Sequence, residues 1–264
     1  MNAVHGMRRE IKKLRAVLRL VRGTTGKGAY RRCIQLLRQA ASVLAAPRDA
    51  CVQHRAFREL RRHFDGKISN RSAARIESAL RARCRRETQH FLEGDSRARL
   101  KRILRKMKRR LDDLKIRSDG WAAIGPGIEH CYCRGQKARQ RVLAEPSSEQ
   151  FHLWRKRVKD LGYQLRLLRR IGPERWRGMV KKLDALGELL GEDHDLALLE
   201  QFVRGRPGRD GKSEEAQALA RLIRSRQAEL RSAALKLGAR LYAPEPAVFR
   251  RGLSMAERDG RAKK

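Results

Sequence analysis

The chain predicts an all-α fold, on three observations. Aromatic residues make up only 5% of its 264 positions, and runs rich in Val, Ile and Thr are absent. Ala, Leu, Arg, Lys, Glu and Gln, the stronger helix formers, fill most of the chain. Proline and glycine then cut it into helix-sized pieces. The predicted helices run over 3–22, 28–46, 48–64, 70–92, 96–117, 127–144, 148–171, 174–190, 192–204 and 214–241. The first carries an apolar residue every three then four positions, and Pro47 parts the second from the third. Ser147 with Gln150 forms a capping box at the head of 148–171. Gly172-Pro173 ends that helix and opens the next. Ser213 before Glu214 and Glu215 puts an N-cap and two acids at the start of 214–241, where the helix dipole favours them. The stretch from about Pro244 to Lys264 reads as a loosely ordered tail.

Charge narrows the function classes. Lys plus Arg number 65 against 29 Asp plus Glu, a formal net charge of +36; 48 of the cations are Arg and 17 Lys. The 41% hydrophobic share is too high for a disordered basic tail, so a folded protein with a polyanionic partner is expected. No membrane association is expected, because the longest apolar run stays near seven residues, Ala40 to Ala46. Met1 to Arg15 carries charge where a signal peptide would be apolar. Cys33, Cys51, Cys84, Cys131 and Cys133 are odd in number with no framework spacing, and read as reduced thiols of a cytoplasmic protein.

An internal repeat carries the most information. At a shift of 147, Val4-His5-Gly6-Met7-Arg8-Arg9-Glu10-Ile11-Lys12 lies on Phe151-His152-Leu153-Trp154-Arg155-Lys156-Arg157-Val158-Lys159. Further along, Leu14, Leu18 and Arg19 meet Leu161, Leu165 and Arg166. At a shift of 146, Val43-Leu44 meets Leu189-Leu190 and Arg48-Asp49 meets His194-Asp195. Two such copies predict two pseudo-symmetric four-helix units in one compact domain. Unit one spans about 1–94 and unit two about 147–243, with connecting helices over about 95–146 and the tail over 244–264.

Each repeated helix has a seam and a ladder. Val4, Met7, Ile11, Leu14, Leu18 and Val21 form the first apolar seam, and Phe151, Trp154, Val158, Leu161, Leu165 and Leu168 the second. The residue after each seam position is basic in the first copy, His5, Arg8, Lys12, Arg15, Arg19 and Arg22; the second copy gives His152, Arg155, Lys159, Arg166 and Arg169, interrupted by Gly162. One step is about 100° around a helix, so each ladder runs along the edge of the buried stripe. Like charges at i and i+4 cost about 0.2–0.5 kcal/mol per pair. Two ladders facing a shared basic groove would bind a linear anion by neutralising its charges and releasing counterions.

These residues resemble the CHAD family, the conserved histidine α-helical domain. The resemblance lies in Phe151-His152-Leu153-Trp154-Arg155-Lys156-Arg157-Val158-Lys159-Asp160-Leu161 and in Leu186-Gly187-Glu188-Leu189-Leu190-Gly191-Glu192-Asp193-His194-Asp195-Leu196. Gly125-Pro126-Gly127-Ile128 with Tyr132, Arg134 and Gly135 is similar to the family's connecting region, and Leu241-Tyr242 with Pro246-Ala247-Val248-Phe249 to its end. The resemblance implies binding of inorganic polyphosphate in a Lys/Arg/His-lined central groove. It also implies targeting to polyphosphate granules in some members, no cofactor and no catalysis. By position it implies polyphosphate binding for His5, Arg8, Arg9, Lys12 and Arg19, and for His152, Arg155, Lys156, Lys159 and Arg166. Lys181, Lys182, Arg31, Arg32, Arg134 and Arg139 are flanking candidates. The first copy departs from the pattern at Ala45-Ala46-Pro47-Arg48-Asp49, where Pro47 is expected to shorten the turn, and Cys131 and Cys133 flanking Tyr132 are unusual.

Other chemistries are weakly represented. Glu192-Asp193-His194-Asp195 could ligate a cation, but four adjacent residues cannot converge from one helix. His194 and Asp195 are expected to form a structural turn or to orient groove side chains. His130, Cys131 and Cys133 lack a second ligand pair. No Walker-type loop and no nucleophile motif occurs, so neither catalytic residues nor a metal site are assigned. The alternative is a helical protein that binds nucleic acid non-specifically at low salt, without helix-turn-helix, RNP or zinc-finger motifs.

Overall fold

A computed structural model describes residues 2–168, 174–205, 214–249 and 251–252. Among these residues every regular element is helical: α1 (Asn2–Leu20), α2 (Lys27–Val43), α3 (Ala45–His63), α4 (Asn70–Glu93), α5 (Ser96–Asp112), α6 (Gly120–Ala144), α7 (Ser148–Leu167), α8 (Glu174–Arg204) and α9 (Glu214–Leu241). The all-α expectation holds.

The caps follow local chemistry. The Ser147 hydroxyl accepts from the Gln150 amide at the start of α7, and Ser69 accepts from the Ser72 amide at the start of α4. The boundary signals at Gly172-Pro173 and Ser213 fall outside the described residues.

Three boundaries differ clearly from expectation, and the first is the end of α5, at Asp112 in place of 117. α6 begins at Gly120, not 127, and carries Pro126 inside it. Burial of Ala123, Gly125, Gly127 and Ile128 offsets the hydrogen bond that the proline removes. The expected helices 174–190 and 192–204 are one 31-residue helix, α8. His194 and Asp195 therefore sit inside a helix and form no turn. Buried Leu190 and Leu196 carry the apolar packing across Gly191, and that burial outweighs the weak helix propensity of a single glycine.

Both predicted seams are packed. Val4, Ile11 and Leu18 are buried against Ile34, Leu37 and Leu44 of the α2 region and Leu100 and Met107 of α5. Phe151, Trp154, Val158, Leu161 and Leu165 are buried among residues of α6, α8 and α9. A third cluster mixes the copies: Phe57 and Leu60 of α3 and Leu80 of α4 pack with Leu196 and Leu199 of α8 and Ile223 of α9. Across the copies, α1 packs on α7 and α3 on α8. The α1–α7 crossing is pinned where the buried Gln164 amide donates to the Ala16 carbonyl at 3.1 Å.

The cysteines depart from the uniform reduced state expected of them. Cys51 and Cys84 form a disulfide joining α3 to α4, their Cα atoms 4.7 Å apart, while Cys33, Cys131 and Cys133 are free. Close packing of the two helices brings together residues 33 apart in sequence, which no spacing rule reveals. The thiol argument for a cytoplasmic protein loses this pair. Among the described residues no helix is long and apolar enough to cross a membrane.

Candidate functional site: a cation cluster between the copies

The packing of α1 on α7 and of α3 on α8 draws basic side chains of three helices into one cluster. Its centre is Lys12. Burial first, and then the charges of Arg155, Arg48, Arg8 and Lys159, pull the Lys12 ammonium down to about 7. Lys159 and Lys156 are lowered too, by burial and then chiefly by Arg155 and Arg15 respectively. Among the described residues Lys12, Arg15, Arg155, Lys156 and Lys159 form no ion pair. The buried Nε of Arg15 and that of Arg155 have no hydrogen-bond partner.

Two histidines lie among these cations. The His152 and His194 rings stand 3.9 Å apart at 31°, and the buried Nδ1 of His152 is unpartnered. Burial and then Lys156 and Arg155 depress His152 to about 4. Burial and then His152 and Arg155 bring His194 to about 2. Both rings are therefore neutral near pH 7 and each offers one donor. His5 is exposed at the edge, lowered by burial, Lys12 and Arg55.

Glycines on α8 make room for the second ladder. A Cβ at Gly187 would stand 2.8 Å from Cε and Nζ of Lys159, and one at Gly191 would stand 3.4 Å from Nε of Arg155. Both cations thus lie across bare backbone of α8, held next to each other despite repulsion. A carboxylate fixes the opposite wall: Asp195 accepts from Arg48 at 3.0 Å and from Arg55 at 2.9 Å, so α8 holds two arginines of α3. The contact involves Asp195 alone of the His194-Asp195 pair.

The candidate residues divide accordingly. His5, Arg8, Lys12, His152, Arg155, Lys156 and Lys159 belong to the cluster, and Arg8 there also donates to the Ala41 and Leu44 carbonyls at 3.0 and 3.2 Å. Arg9 is exposed beside Glu10 at 3.5 Å. Arg166 is exposed, paired with Asp184 and stacked on Tyr163. Lys181 and Lys182 are exposed on α8, and Arg31 and Arg32 on α2. Arg139 packs beside Gly238 of α9, next to Trp154. Arg19 pairs with Asp160 in a separate pocket that also contains Arg134. Arg169 lies outside the described residues. Arg15 entered the sequence reading only as a ladder position and His194 and Asp195 only as a turn or an orienting pair, whereas Arg48 and Arg55 were not candidates at all. A signal for two of them existed, since the repeat aligns Arg48 with His194, and both reach the cluster.

Among the described residues no three His, Cys, Asp or Glu side chains converge as metal ligands. No curated protein and no solved structure matches the chain. The CHAD domain profile matches residues 1–204, which contain α1 to α8 and the entire cation cluster. With more than half its length matched, the chain belongs to the CHAD family, for which binding of polyphosphate rather than catalysis is the general property.

Proposed function

We propose that this chain binds long-chain inorganic polyphosphate in a basic groove between two pseudo-symmetric units, with the α1 and α7 ladders lining it. One observation carries the reading: Lys12, Arg155, Lys156 and Lys159 are held together, half-buried or more exposed, without an ion pair among the described residues. Such clustering is unfavourable in the free protein and is relieved by an anion that places one charge beside each cation. The forked guanidinium of Arg155 suits tetrahedral phosphate oxygens, and Lys12 and Lys159 supply point charges. Binding through this groove would target the protein to polyphosphate granules.

A competition titration at two salt concentrations tests the reading. Long-chain polyphosphate is expected to displace a labelled polyphosphate far better than duplex DNA or RNA of equal phosphate content, and to keep that advantage at the higher salt. Equal displacement by all three polymers would leave only a general basic surface, the nucleic-acid-binding alternative. Granule targeting is tested by imaging a fluorescent fusion in cells with and without polyphosphate, where a diffuse signal in both rejects it.

A further inference from the structure

A second basic site lies at the other end of the α1–α7 contact. A Cβ at Gly127 would overlap the Leu20 carbonyl, so glycine lets α6 cross the end of α1. That crossing brings His130 and Arg134 of α6 beside Arg19 and Arg22, and α7 closes the pocket with Arg157 and Asp160. Asp160 is buried; it pairs with Arg19 and lies 3.5 Å from Arg157, fixing both guanidinium groups. Arg22 donates to Nε2 of His130 at 3.0 Å and lies over the Tyr30 ring. That bond makes Nε2 an acceptor, and burial with Arg22 and Arg134 lowers the His130 pKa, so the ring is neutral. Four arginines face one carboxylate, a surplus of three positive charges. Arg22 and Arg134 are exposed and, among the described residues, paired with no carboxylate.

This pocket differs from the ladder cluster in kind. The cluster spreads charge along the helices, whereas the pocket gathers four guanidinium groups around one carboxylate. Lys12 and Arg19 are seven residues apart on α1, so the two sites lie about 10 Å apart along the helix. Arg15 and Lys156, each within electrostatic reach of the other, span the gap. A phosphate chain has two kinds of unit. Interior units carry one charge and two free oxygens, whereas the terminal unit has three free oxygens and, like a phosphate monoester, about −1.5 to −2 charges at pH 7. The denser, prearranged pocket suits the terminal unit and the cluster suits the interior.

We propose that the Arg19–Arg22–Arg134–Arg157 pocket binds the terminal phosphoryl group of a polyphosphate chain whose interior lies on the Lys12–Arg155 cluster, an inference that rests on the proposed function. The protein thereby recognises chain ends in addition to chain length. The test compares linear polyphosphate of one short length with free ends, the same chain with both ends blocked as phosphoramidates, and orthophosphate alone, all by calorimetry on the full chain. The free-ended chain is expected to bind about tenfold tighter than the blocked chain, the worth of one charge-assisted hydrogen-bond pair. The Arg22→Gln/Arg134→Gln double variant is expected to weaken the free-ended chain about tenfold more than the blocked chain, so that the preference for free ends is lost. Both side chains are exposed, and circular dichroism checks that the variant folds. Equal affinity of the two chains, or an equal loss for both in the double variant, overturns the chain-end pocket while leaving the proposed function standing. Orthophosphate binding as tightly as the free-ended chain also overturns it, in favour of a free-phosphate site. If no polyphosphate binds at all, both readings fail together.

Discussion

In the first copy of the repeat the helix pair breaks at Leu44, where α2 ends and α3 begins; in the second copy the matching stretch runs unbroken through α8. Pro47 corresponds to Asp193 at the shift of 146, and without an amide hydrogen it cannot bond to the Val43 carbonyl four residues back. The break leaves carbonyls at the end of α2 without helical partners. Arg8 fills that need by donating to Ala41 and Leu44. Its equivalent, Arg155 (8 + 147), faces a helix whose carbonyls are already bonded, lies against Gly191, and keeps its Nε unpartnered. One arginine of the repeat anchors the fold; the other keeps a buried Nε without a partner.

The contact that joins the copies gives the largest expected effect. Asp195→Ala removes the carboxylate shared by Arg48, which keeps Asp49, and by the half-exposed Arg55, and is expected to cost about 2–3 kcal/mol of stability, below the upper range for a fully buried pair. Chemical denaturation measures it, and a loss below about 1 kcal/mol would mean that packing alone holds α3 on α8.

The two arginines should separate next. Arg8→Ala is expected to destabilise by about 1.5–3 kcal/mol through the lost carbonyl bonds. Arg155→Ala is expected to change stability by less than about 1 kcal/mol, since it removes an unpaired cation, yet to weaken polyphosphate binding about tenfold or more. Thermal melts and titrations on both variants would sink the comparison if the two behaved alike.

The glycine cradle sharpens the comparison further. Gly187→Ala adds helix propensity worth up to about 1 kcal/mol but pushes Lys159 aside, so a few-fold weaker affinity with unchanged or higher stability is expected. Gly191→Ala meets Arg155 at an ordinary distance and should do less, which paired titrations would check.

The smallest effect is on pH dependence. His152, ordinarily near 6.5 and about 4 here, makes the unfolded chain take up its proton first. The free protein should therefore lose stability as pH falls from about 6.5 toward about 4. An entering polyanion raises Lys12 from about 7 and raises His152, so binding takes up protons and tightens a few-fold between about pH 8 and about pH 6. Calorimetry in two buffers of different ionisation heat reads that uptake; proton release would contradict it.

Much of the site was legible because repetition is a property of sequence. The seams at Val4 to Val21 and Phe151 to Leu168 and the ladders beside them follow from helical periodicity, and burial bears out the seams. Arg48 and Arg55 were less legible, since an arginine on a helix reads as solvated surface until Asp195, 140 residues from Arg55, is placed beside it. Arg19 shows the reverse: it sits in the ladder by spacing and in another pocket by contact. Cys51 and Cys84 carry no spacing signal at all.

The amino-acid sequence by itself determined the helical class, the family and the two basic ladders, because side-chain periodicity along a helix is local. Only tertiary structure decided which cations meet, which pair with Asp160 or Asp195, and which, like Arg155 and Lys12, stay unpaired. Those outcomes depend on where helices cross, and crossings are set by small contacts such as Gln164 on Ala16 and Gly127 on Leu20 between residues more than a hundred positions apart.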